Sequence, residues 1–246
     1  MDGTTLYAGG DFTTVGGMAR NRIAALDSAA NATAWNANAN GTIRSLAVYG
    51  TTIYAGGDFT AIGGQVRNYV AALDNSAGNA VPSWIPDVSG SVLALAIGEN
   101  FDHCGGSCSA DTYVFMGGSF LSAGAGAYGP YLYGLNISGD APTLWSNSGT
   151  FAFNGSVNVL AASGNNRFYA GGNFTQFGGG TLRSGLAAAK LGFVPEITAW
   201  NPDPGAGKTF AISVIGDYIC VGGNFTGIGG MKNANLSFLP ASTDAP

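Results

Sequence analysis

Charge is the scarcest commodity in this 246-residue chain: 9 Lys and Arg and 14 Asp and Glu make up 9% of it, for a formal net charge of −5. An average soluble domain carries about 25% charged residues. Binding to nucleic acid or to an anionic membrane surface rewards clusters of Lys and Arg, and this chain has none. Histidine is scarcer still. His103 alone would have to serve a Ser-His-Asp or Cys-His mechanism. Glycoside hydrolysis needs two juxtaposed carboxylates, and the chain has just two Glu, Glu99 and Glu196, both at expected turns, its other acids being mostly repeat-placed Asp. Long apolar runs are absent too. The most apolar stretch, Leu186 to Val194, is broken by Lys190 and Gly192, which excludes a membrane-spanning helix. Met1-Asp2-Gly3 leads straight into an expected strand, with no leader-like segment. No segment sustains a helical period of apolar residues.

Glycine is what the chain has in excess, at 41 residues, and the excess is periodic. YAGGDFT occurs at Tyr7–Thr13 and again at Tyr54–Thr60. FMGGSFL (Phe115–Leu121), YAGGNFT (Tyr169–Thr175) and CVGGNFT (Cys220–Thr226) are looser copies. The units are roughly fifty residues long, and such periodicity marks a repeat array. Each unit reads alike. A small-apolar strand comes first (Ile43–Tyr49, Val92–Ile97, Val157–Ala162, Phe210–Ile215), then the strand ending in Gly-Gly. A second glycine pair follows at Gly16/Gly17, Gly63/Gly64, Gly178/Gly179 and Gly229/Gly230. A third strand comes next (Ile23–Asp27, Val70–Asp74, Leu132–Asn136, Leu186–Leu191, Leu236–Leu239). A short strand around Trp35, Trp84, Trp145 or Trp200 closes the unit. These runs are short, β-branched or aromatic, and bounded by Gly, Asn, Asp and Pro.

Four short antiparallel strands per repeat describe a β-propeller blade. The expected fold is therefore all-β: one propeller domain over residues 1–246, in units of about 1–42, 43–91, 92–156, 157–208 and 209–246. Five blades are expected, the terminal two incomplete: the first unit lacks its opening strand, the last its Trp strand. The strand order resembles a kelch repeat. The second glycine pair and the Arg-Asn after it are not general kelch features, and the chain is more similar to the GGDFT-type propeller repeats of bacterial secreted and surface proteins. That resemblance covers nearly the whole chain and implies an extracellular or cell-surface location.

A glycine inside a strand costs roughly 0.5–1 kcal/mol relative to alanine. Ten of them in five Gly-Gly pairs are retained only if those positions need positive φ or close backbone approach. No helix follows any pair, so a phosphate-cradling loop is excluded. Gly205-Ala206-Gly207-Lys208-Thr209 imitates such a loop, but the pattern needs glycine where Pro202 stands. The recurring Phe12, Phe59, Phe120, Phe174 and Phe225, and the four Trp, are expected to pack one blade against the next. Asn40-Gly41-Thr42 and Asn154-Gly155-Ser156 fit the glycosylation pattern, as chance allows in so Asn-rich a chain.

The long third unit carries an insertion, Gly98–Thr112, holding His103, Cys104 and Cys108. Three readings stand: a Cys104–Cys108 disulfide in an oxidising compartment, reduced thiols, or a metal site with Asp102 or Asp111. The first leads, and no metal is expected. Cys220, read at the alanine position of a Gly-Gly strand, is expected to be a buried small residue.

Asp11 and Asp58 recur after the first glycine pair, and Ser, Asn and Asp interchange at that place, which points to turn capping. A basic residue recurs after the second pair: Arg20, Arg67, Arg183 and Lys232. Either these cations pair with Asp11, Asp58 and nearby carbonyls, or they line a ring of similar ligand pockets. No catalytic residue and no cofactor is expected. The expected function is non-catalytic: a binding or assembly module for a glycan or protein ligand. The alternatives are a multivalent lectin-like propeller and the accessory, substrate-recognition domain of a larger extracellular enzyme. Open terminal blades invite completion by another chain or by flanking sequence.

Overall fold

In a computed structural model, residues 3–100, 111–123, 130–137, 152–163, 166–190 and 196–241 are described. Among them there is no helix; every element is a short strand, and the sheets are small and antiparallel. The insertion with His103, Cys104 and Cys108, and Trp145, lie outside the described residues. The chain gathers into two compact units, Met1–Leu95 with Phe120–Ala127, and Ala96–Ser119 with Tyr128–Pro246.

In the first unit, β1 (Leu6–Gly9) pairs with β4 (Ile23–Leu26), and between them β2 (Thr14–Val15) and β3 (Met18–Ala19) form a tiny ribbon. The next repeat has the order β5-β6-β9, from β5 (Ile43–Tyr49), β6 (Thr52–Gly57) and β9 (Val70–Asp74). Its ribbon is β7 (Ala61–Ile62) with β8 (Gln65–Val66). The third sheet is β10 (Val92–Asn100), β11 (Asp111–Gly118) and β12 (Leu132–Asn136), and the division between the units falls within β10.

In the second unit, the fourth sheet runs β13 (Val157–Ser163), β14 (Arg167–Gly172), β17 (Leu186–Lys190), β18 (Glu196–Ile197), with a ribbon of β15 (Gln176–Phe177) and β16 (Thr181–Leu182). The last sheet is β19 (Thr209–Ile215), β20 (Tyr218–Gly223) and β21 (Leu236–Pro240).

The two glycine pairs of a repeat meet different needs. At Gly63 and Gly64 φ is +60° and +73°, so both central residues of the β7–β8 turn are left-handed. That is the geometry of a two-residue hairpin whose twist matches its strands. Gly57 is ordinary extended backbone, but a Cβ there would collide with the carbonyl oxygen of Thr42. Gly56, beside it, sets the distance to the next sheet: a Cβ would lie 2.7 Å from Cγ1 of Val92. Gly171 meets Thr209 in the same way in the second unit, at 2.5 Å. A register shift just after Ile43, Val157 and Thr209 accompanies these contacts. A bulge of this kind re-aims a side chain while bending and twisting the strand locally.

The described tryptophan segments are not strands, which corrects the expected closing strand there. Trp35, Trp84 and Trp200 lie in irregular backbone; among the described residues, only the fourth sheet gains a fourth strand, the two-residue β18. The indoles still connect neighbouring repeats. Each stands edge-on to the tyrosine of its own Gly-Gly strand: Tyr7–Trp35 at 5.1 Å, Tyr54–Trp84 at 5.3 Å and Tyr169–Trp200 at 5.2 Å. Trp35 Nε1 then donates to the Asp74 carbonyl, and Trp200 Nε1 to that of Pro240, each in the following repeat. Irregular backbone lets the indole reach both partners, which a fourth ladder strand would not. The recurring Phe59, Phe120, Phe174 and Phe225 are fully buried.

Candidate functional site

The recurring arginines serve their own repeats. Arg67 is 8% exposed and donates to the carbonyls of Val66, Val81 and Pro82. Arg20 donates to Ala19 and Thr33, and Arg183 to Leu182 and Thr198. Each guanidinium thus ties a two-residue ribbon to the backbone 13, 14 or 15 residues further on. Burial pulls the Arg183 guanidinium below its ordinary pKa. For Lys232 the corresponding position lies outside the described residues, and its ammonium is exposed.

Asp11 and Asp58 do not meet these arginines. Among the described residues the ion pairs are Arg22–Asp11 at 3.5 Å and Arg44–Asp58 at 2.6 Å. Burial acts to raise Asp58, but hydrogen bonds from Arg44 and Ser91, with the charge of Arg44, hold its carboxyl below the ordinary value. No group of three His, Cys, Asp or Glu side chains that could hold a metal ion occurs among the described residues.

A second recurring contact went unread in the sequence. Asn40 Oδ1 accepts from the backbone N–H groups of Thr60 (2.8 Å) and Ala61 (2.9 Å), and its Nδ2 donates to Thr60 Oγ1 (2.8 Å). Asn154 repeats this on Thr175 and Gln176 with the same three distances. Ser89 Oγ accepts from Leu121 and Ser122, both at 3.0 Å. The loop before each first strand is thus clamped onto the end of the following Gly-Gly strand. The two asparagines are those whose sequons were set down to chance. Their signal was position: each precedes a glycine packed so closely that an added Cβ would lie 2.6 Å from Phe59 Cα at Gly41 and 3.0 Å from Phe174 Cα at Gly155.

The last repeat breaks the pattern. A Cβ on Gly207 would lie 2.5 Å from Phe225 Cα, as at Gly41 and Gly155, but the residue before it is Ala206. The backbone N–H groups of Thr226 and Gly227 have no partner among the described residues. A groove of about 480 Å³ opens at this place, its walls including Asp203, Ala206, Thr226, Gly227, Met231 and Lys232. Asn38 and Asp87, with φ of 49° and 46°, stand three residues before Gly41 and Gly90, whereas Asp203, with φ of 39°, stands four before Gly207; the extra residue is Gly205, whose N–H donates to Asp203 Oδ1. Lys232 is thus the one sequence-predicted ligand residue placed on this groove.

Neither a protein-family model nor a curated protein matches the chain.

Proposed function

We propose that the chain is a non-catalytic binding or assembly module, built as a β-propeller array and working outside the cell or at its surface. One observation carries the assembly reading. In β6 and β14 five of six residues are buried, and in β9 and β17 four of five. The last sheet keeps the same strand order without that cover and puts larger apolar residues on it. Phe210, Tyr218, Leu236 and Phe238 are each more than half exposed, while Val70 and Ala72, which stand where Leu236 and Phe238 do, are buried. Register also corrects the reading of Cys220: it stands opposite Phe238, at the tyrosine place of Tyr54, and is only half-buried. Contiguous apolar surface of this kind marks an interaction site. The occupant it suits is another sheet of the same repeat, delivered by a closing propeller, by flanking sequence or by a second chain.

Light scattering behind size exclusion tests the reading. A mass that rises above the monomer with concentration, and that Phe238→Lys abolishes, is the expected result. A chain that stays monomeric at high concentration and binds no apolar dye would remove the face as an assembly surface. A lectin-like ring of pockets draws less support, because Arg20, Arg67 and Arg183 spend their guanidiniums on carbonyls of their own repeats.

A further inference from the structure

The clamp that Asn40 and Asn154 make defines a receptor as well as a tie. Two successive N–H groups converge on one carbonyl oxygen, and a threonine hydroxyl receives the amide N–H beside it. That receptor fits a primary carboxamide. In the last repeat all three receptor groups are present: Thr226 N–H, Gly227 N–H and Thr226 Oγ1. Alanine has replaced the internal ligand, the added Gly205 moves the loop, and the groove stands there instead. From this we infer that the groove binds the side-chain carboxamide of an Asn or Gln residue of a peptide ligand, which takes the place that Asn40 and Asn154 fill from within. Lys232 and Met231, on the same walls, are placed to receive the rest of the ligand, a backbone carbonyl at the ammonium and apolar surface at the thioether. The inference is separate from the assembly face, since it rests on the loop ends and not on the sheet surface.

Amide NMR of the full chain tests it directly. The probes are the blocked tripeptides acetyl-Gly-Asn-Gly-amide, its Ala analogue and its Asp analogue. The Asn peptide is expected to shift the Thr226 and Gly227 amide signals saturably within tens of millimolar, at least about tenfold more tightly than either analogue. Ala206→Asn is expected to abolish the response by filling the receptor from inside. Thr226→Val, a change at an exposed residue, is expected to weaken it while leaving the other amide signals in place. Equal shifts from the Ala peptide, no saturable shift, tighter binding of the Asp peptide, or an undiminished response in Ala206→Asn would each overturn the assignment.

Discussion

Asp74 ends its strand by gathering the turn that follows. Its Oδ1 accepts from the N–H groups of Ser76, Ala77 and Gly78 and from the Ser76 hydroxyl, and its Oδ2 from Asn79. Burial works to raise this carboxyl, but the hydrogen bonds outweigh it and hold the pKa at about 2 against an ordinary 3.8. A folded-state pKa below the unfolded one gives stability that is present above the unfolded value and lost as pH falls through the folded one. The melting temperature should therefore drop between pH 3.8 and about 2. Asp74→Asn should flatten part of that drop, as calorimetry across the acid range would show. Gly57 is constrained in another way. Gly57→Ala has to move the Thr42 carbonyl, because no side chain is available to yield. Urea titration should record a loss of about 3 kcal/mol, the upper range for forced overpacking. A loss below about 1 kcal/mol would mean that this close approach is relaxed in solution.

At the scale of elements, the two-residue ribbons are too short to stand alone, and the buried arginines hold them. Arg67→Ala should destabilise by about 2 kcal/mol, the cost of losing hydrogen bonds made by a buried charged group. Arg67→Lys should recover little of it, because an ammonium cannot span three carbonyls as the planar fork does. Lys232→Ala should change stability by less than about 0.5 kcal/mol, in keeping with its exposed surface position. The three melting curves together decide the assignment. These same elements mark what could be read from the chain and what could not. Ile43–Tyr49, Val70–Asp74 and Leu132–Asn136 match their expected bounds, because short apolar runs and the turn residues that flank them act locally. The tryptophan segments did not: Trp35 and Trp200 answer to a tyrosine within the repeat and a carbonyl beyond it. The arginine partners failed for the same reason. Sequence shows that a guanidinium needs acceptors, but not that the chain 13 to 15 residues on supplies them ahead of Asp11 or Asp58.

Across the molecule, the burial of equivalent strands falls at the last sheet. Each earlier Gly-Gly strand for which burial is described outside the first repeat is shielded along most of its length, whereas β20 and β21 alternate between buried and open positions. Local opening follows local burial. Hydrogen exchange should therefore be fastest in β21 and slowest in β9 and β17, and equal protection in the three strands would show the last face to be covered in solution. The groove at Ala206 was not legible in the sequence at this scale either. Recognising it required knowing which residue the clamp engages, and only the seating of Gly207 on Phe225 fixes that alignment.

The contact of Gly56 with Val92 bears on how such a gene can grow. The gauge that spaces one sheet from the next is a missing methyl group, and each of the first four repeats carries its own copy, at Gly9, Gly56, Gly117 and Gly171. A duplicated segment such as 43–91 would arrive with both halves of the joint, the glycine it offers forward and the first-strand residue it offers back. Unequal recombination could therefore lengthen or shorten the array by whole units with no compensating mutation in either neighbour.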